Sequence, residues 1–171
     1  GRGELAPGEA FETCTLFFVE PGRKPTKVSF LPNDPGTEAD WVYWSADGKW
    51  ITFQSSRDGR ACDQQFVMRA DGSDQRQVTA LGGAHFGPSW TPDGQKIIFS
   101  SNHPAPRSGN FDLYLVDAAS TKAGPTALER ITFDPTFDGF PMFRPDGKQL
   151  IWASNRKSAK PGETNLFVAD W

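Results

Sequence analysis

Histidine is the scarcest reactive side chain in this sequence: His85 and His103 are the whole supply among 171 residues. A zinc site made by the protein alone would need carboxylates for its remaining ligands, and a mechanism that depends on a larger set of histidine ligands is excluded. Cysteine is as rare, with Cys14 and Cys62 allowing at most one disulfide. No apolar run is long enough to cross a membrane, so membrane insertion is not expected. Lysine and arginine are scattered along a chain of net charge −3. That excludes a nucleic-acid footprint and argues against an anionic membrane surface as partner. A Gly-x-Ser-x-Gly elbow and a phosphate-cradling glycine loop are both missing. The serines fall at turns and strand ends, where capping and turn formation explain them, and Gly82-Gly83 reads as a turn between units. The opening Gly1-Arg2-Gly3-Glu4-Leu5 lacks a signal-peptide pattern, which decides nothing for a mature or truncated chain.

Glycine (17), proline (14) and aromatics (13%) are plentiful, as suits a turn-rich all-β protein in which no helix is required. They are arranged in a phrase that occurs three times: Trp44-Ser45-Ala46-Asp47-Gly48-Lys49-Trp50-Ile51-Thr52-Phe53, Trp90-Thr91-Pro92-Asp93-Gly94-Gln95-Lys96-Ile97-Ile98-Phe99 and Phe143-Arg144-Pro145-Asp146-Gly147-Lys148-Gln149-Leu150-Ile151-Trp152. Each is a hairpin. Glycine accepts φ > 0 in the turn without steric cost, so the flanking runs fold back on each other in a fixed register. The Asp-Gly pairs begin at 47, 93 and 146, giving spacings of 46 and 53. Such a period with four strand-like runs per unit predicts propeller blades.

The third runs are Gln65–Met68, Leu113–Val116 and Leu166–Ala169, and short fourth runs end in Thr79 and Thr132. An earlier pair, Thr15–Glu20 and Thr26–Phe30, matches a third and a fourth strand. The expected organisation is therefore a leader or linker over 1–12, a half blade over 13–31, blades over 39–80 and 84–133, and a blade lacking its outer strand over 137–171. A closed ring needs whole blades, and exposed sheet edges invite pairing. The chain is therefore expected to be a partial propeller, completed to six blades by another chain, a second copy in a homo-oligomer, or a missing segment.

The phrases Pro88-Ser89-Trp90-Thr91-Pro92-Asp93-Gly94, Ile98-Phe99-Ser100-Ser101-Asn102 and Phe111-Asp112-Leu113-Tyr114-Leu115-Val116-Asp117 resemble the blade repeat of TolB-type, WD40-like β-propellers, as does Thr132 through Trp171. The resemblance extends over about residues 13–171. The resemblance implies the fold and a periplasmic or extracellular setting. Because the residues show no convergent catalytic set, a non-catalytic binding or scaffold module is expected, one that docks a protein or peptide around the channel, as in TolB-like envelope proteins, without a cofactor. Similar repeats occur in tricorn-like proteases, in the propeller lids of prolyl-oligopeptidase relatives and in oligogalacturonate lyases. The lyases need more histidines than are present. The alternative is thus the propeller part of a secreted hydrolase or peptidase whose catalytic residues lie outside this chain. The α/β domain that precedes the propeller in TolB has no counterpart in this sequence.

In such a propeller the Asp-Gly turns share one face, where Asp47, Asp93 and Asp146 are turn chemistry rather than catalytic acids. The opposite face gathers the loops between second and third strands and those between blades. Aligning Trp44, Trp90 and Phe143 brings Ala39, His85 and Asp138 to one equivalent position, and Arg57, His103 and Arg156 to another. The partner-binding set expected at this channel mouth is Asp40, Arg57, His85, Phe86, His103, Asp138, Phe140 and Arg156, with no catalytic or metal residue assigned. His85, His103 and Asp138 could form a metal or acid-base group. The favoured reading has Arg57 and Arg156 bonded to loop carbonyls or paired with Asp112, Glu163 or Asp138. Trp41, Tyr43, Trp44, Trp50, Trp90, Phe143 and Trp152 are expected between blades, and Phe86, Phe137 and Phe140 at the mouth. Cys14 and Cys62 stand before neighbouring third strands. They are either two unpaired thiols or a disulfide closing over 47 intervening residues, which would stabilise by about 3–4 kcal/mol and imply an oxidising compartment.

Overall fold

A computed structural model describes residues 13–18, 26–32, 39–57, 63–160 and 162–171, with side chains from residue 41 onward. The expected leader, Cys62 and the side chains of Cys14 and Asp40 lie outside the described residues, and with them the Cys14–Cys62 bridge. Among the described residues there are thirteen strands, and a 3-10 turn at Pro125–Ala127 is the sole helical element. The strands are β1 (Thr13–Phe18), β2 (Thr26–Pro32), β3 (Ala39–Trp44), β4 (Trp50–Ser55), β5 (Gln64–Arg69), β6 (Arg76–Gln77), β7 (His85–Trp90), β8 (Lys96–Ser101), β9 (Asp112–Asp117), β10 (Glu129–Arg130), β11 (Asp138–Phe143), β12 (Gln149–Ser154) and β13 (Asn165–Asp170). They form an antiparallel pair β1-β2, two four-stranded sheets β3-β4-β5-β6 and β7-β8-β9-β10, and a three-stranded sheet β11-β12-β13. This is a partial TolB-like propeller. β1 begins two residues before the hydrophobic run that predicts it.

The repeated turns explain the regular hairpins. Asp47 Oδ1 accepts from the Ser45 hydroxyl at 2.6 Å and from the Lys49 amide at 3.0 Å, and Asp93 does the same with Thr91 and Gln95. Gly48, Gly94 and Gly147 follow with φ of 68°, 69° and 73°, in the left-handed region that the turn requires. Hydroxyl and amide donors hold the Asp47 and Asp93 carboxyls below their ordinary range, so these acids stay ionised as turn acceptors.

Blades stack through apolar faces. Val67, Val78 and Leu81 of the first full blade pack with Trp90, Ile97, Phe99, Tyr114 and Val116 of the second. Ile98, Leu113 and Leu115 on the second blade's other face pack with Leu150 and Trp152 of the third. Backbone bonds cross the first boundary: the Ala123 amide donates to the Val78 carbonyl at 2.7 Å, and the Ala80 amide to the Ala123 carbonyl at 2.9 Å. The third blade's far face is open. Leu166 and Val168 hold the positions of Leu113 and Leu115, yet are 73% and 57% exposed, against 0% and 3% for their counterparts.

This difference makes a test. Leu113→Asp puts an unpaired charge into the interior and is expected to cost more than about 3 kcal/mol. Leu166→Asp is expected to stay within about 0.5 kcal/mol. Urea-denaturation midpoints compare them, and equal midpoints would contradict this stacking order.

Candidate functional site at the channel mouth

Three inner strands, β3, β7 and β11, lie side by side around the channel. Each carries a bulge, because register shifts fall between Asp40 and Tyr43, Phe86 and Ser89, and Gly139 and Met142. The bulged residues are Trp41, Gly87 and Phe140, with φ of 48°, 61° and 58°. Glycine takes this conformation freely, but a bulky residue pays of order 1–3 kcal/mol. Two of three equivalent positions therefore place a strained aromatic where the middle blade has glycine. A Cβ on Gly87 would lie 3.6 Å from Cα and Cδ1 of Phe140, so Phe140 lies close over the bare backbone of the second blade.

The rings of Trp41 and Phe140 meet across the first and third blades at 5.3 Å between centroids. Phe86 lies 5.1 Å from Phe140 and 5.0 Å from Phe111. Phe137 is 6.0 Å from Phe140 and 5.9 Å from Phe111. Trp41 and Phe140 are 40% and 41% exposed, while Phe86, Phe111 and Phe137 are half-buried behind them. The result is a five-ring surface resting on rigid inner strands.

Its surroundings are built by a recurring device. The hydroxyls of Ser55, Ser101 and Ser154, each ending the second strand of a blade, accept the backbone amides of Arg57, His103 and Arg156 at 3.3, 3.0 and 3.1 Å. In the second blade His85 Nδ1 lies 2.8 Å from the Ser101 hydroxyl. In the third, Asp138 pairs through Oδ2 with Arg156 and accepts from Trp152 Nε1 through Oδ1 at 3.2 Å. The residues aligned by sequence thus meet within their own blades, rather than as one ring of ligands. Among the described residues no three His, Cys, Asp or Glu come close enough to hold a metal ion.

The structure corrects the expected contact set in several places. His85 and Asp138 are 2% and 0% exposed, so their side chains lie beneath the mouth and not on its surface. Arg156 bonds to Asp138, stacks over Trp152 and Phe167, and donates Nε to Ser154. Arg57 lies over Phe53 and Phe66 and donates Nη1 to Gln75 at 2.9 Å. His103 is half-buried, edge-on to Tyr114 at 4.6 Å. Asp112 takes Arg130 as its partner, at 2.7 Å, in place of Arg57 or Arg156. Phe140 is exposed, and Phe86 lies in the ring cluster. Trp41 and Trp44 were expected between blades but are 40% and 41% exposed. Trp41 and Phe111 are the residues that sequence reasoning missed at the mouth. The alignment of Trp41 with Gly87 and Phe140 carried the signal for the first.

Burial lowers the His85 pKa from 6.5 to about 4, with the positive charge of His103 acting in the same direction and the Leu81 and Gly82 carbonyls opposing. Its Nε2 makes no hydrogen bond of good geometry. His103 is also lowered, by burial and then by Arg130. Because the folded pKa of His85 lies below the unfolded one, stability is full above about pH 6.5. It is lost as pH falls toward 4, by up to about 3 kcal/mol for this group. Denaturation midpoints between pH 7 and 4.5 check this, and His85→Gln is expected to flatten the slope; an unchanged slope removes His85 as its source.

No family model matches the chain. TolB from Acinetobacter baumannii superposes with a TM-score of 0.65 at 23% identity, over 92% of this chain and 35% of that one. The Uncharacterized peptidase YuxL of Bacillus subtilis is 25% identical over 139 residues, 66% of this chain and 21% of its own length. Dipeptidyl-peptidase 5 of Porphyromonas gingivalis is 31% identical over 87 residues, 48% of this chain and 12% of its own. The chain therefore spans about a fifth or less of these two curated relatives.

Proposed function

Starting from the TolB-type propeller fold, we propose that this chain is a non-catalytic docking module that holds a protein or peptide partner on the loop face of its channel. The observation that carries the reading is the pair Trp41 and Phe140, half-exposed aromatics held in left-handed backbone at φ 48° and 58°. Strain of this kind concentrates at ligand clamps, and rigid aromatic anchors dominate binding energy at interfaces. The open face of β11-β12-β13 is the seat of a further blade, which completes the ring around the same channel. The setting is periplasmic or extracellular; no described helix is long and apolar enough to cross a membrane. A displayed library of random dodecapeptides, panned on the protein and counter-panned on Trp41→Gly/Phe140→Gly, tests the docking role. Sequences enriched on the wild type alone are expected, and equal recovery on both would refute it.

The peptidase relatives support a second reading, in which the propeller belongs to a larger hydrolase whose catalytic residues lie elsewhere. An adjoining α/β-hydrolase segment in the full coding sequence is its signature, and the absence of one from the full gene would dismiss it.

A further inference from the structure

Resting on the docking role, we infer that the segment held at the channel mouth is an acidic peptide with an aromatic or aliphatic anchor. The five-ring cluster supplies the anchor site. The charges around it supply the sign. Among the described residues Arg107, Lys157 and Lys160 are exposed and have no ion-pair partner. All three lie on the loops between second and third strands, the same face as the cluster, and the loop bearing Arg107 leads directly into Phe111. Against them stand one exposed acid, Glu163, and two half-buried ones, Asp63, which accepts from the Gln54 side-chain amide, and Asp134, which accepts from Thr136. The buried acids of this face are already paired, Asp112 with Arg130 and Asp138 with Arg156.

The turn face has the other sign. There Lys49, Arg69, Arg144 and Lys96 are paired with Asp47, Asp74, Asp146 and Glu129, leaving exposed Asp71, Asp93, Asp117 and Asp170 against Lys122, Lys148 and the half-buried Arg76, which donates to the Ala118 carbonyl. A negatively charged segment is therefore repelled from one mouth of the channel and drawn to the other. Opposed patches of this kind steer encounter and suppress wrong partners. Carboxylates flanking an apolar side chain would meet Arg107, Lys157 and Lys160 while the anchor stacks on Trp41 and Phe140.

Two fluorescent pools of random dodecapeptides test the inference, one with Asp and Glu as its only charged residues and one with Lys and Arg. Each is passed over the immobilised wild type, over Trp41→Gly/Phe140→Gly, and over Arg107→Glu/Lys157→Glu/Lys160→Glu. The acidic pool is expected to be retained at least tenfold more than the basic pool at low salt, with the ratio reversed by the triple variant and reduced at high salt. Equal retention of both pools on the wild type, above that on the glycine variant, overturns the acidic preference while the docking role stands. Retention of both pools no greater than on the glycine variant removes both ideas.

Discussion

Asp138→Ala is expected to lower the stability of the chain by about 3–5 kcal/mol, the cost of leaving one member of a buried ion pair alone. Asp138 is 0% exposed and uses both oxygens, one on Arg156 and one on Trp152 Nε1 at 3.2 Å. Its amide also donates to the Phe111 carbonyl at 2.8 Å, across the boundary between the second and third blades. Removing the carboxylate strands the Arg156 guanidinium over Trp152 and Phe167 and leaves an indole N–H without its acceptor. Asp138→Asn keeps an oxygen for Trp152 and should lose less. Asp138→Ala/Arg156→Leu should recover part of the loss, because no charge is then left unpaired. Guanidinium denaturation of the four proteins decides the matter, and a loss below about 1 kcal/mol for Asp138→Ala would show that the pair does not hold the blade boundary.

Trp41→Gly/Phe140→Gly is expected to do the reverse, sparing the fold and abolishing docking. Each glycine relieves a left-handed strain of order 1–3 kcal/mol and gives up ring contacts that are only partly buried, so the two terms offset to within about 2 kcal/mol. Binding has no such compensation. Anchors of this type are each worth about 2 kcal/mol or more, and the pair should weaken a selected peptide at least a hundredfold. Fluorescence anisotropy with that peptide measures the loss, and an affinity within threefold of wild type would move the site elsewhere. Phe140→Leu keeps the strain and most of the apolar area, so it separates the ring from the burial.

The fold could be read from three Asp-Gly hairpins because their chemistry is local. A turn that needs φ > 0, an acceptor two residues before its donor, and alternating apolar runs all lie within about ten residues. The mouth could be read only in part. Alignment put His85 with Asp138 at one position and His103 with Arg156 at another; in the structure the Ser101 hydroxyl joins His85 to His103 in the second blade, and Asp138 pairs directly with Arg156 in the third. What alignment lacks is depth. Asp138 meets Trp152 and Arg156 within its own blade, but its burial depends on the second blade, whose Phe111 carbonyl accepts its amide, and a one-dimensional alignment does not show that stacking. The bulges were hidden for another reason: an inner strand with one residue in left-handed backbone reads as an ordinary strand unless glycine marks it. In this chain glycine marks it only at Gly87.

The crossing at Val78, Ala80 and Ala123 means that blade boundaries are not weak planes. A piece of the second blade completes the hydrogen bonding of the two-residue strand that edges the first. Outward fraying of that strand must also shear Ala123 away, so the amides of Val78, Ala80 and Ala123 should exchange with solvent at a common rate, as one cooperative opening unit.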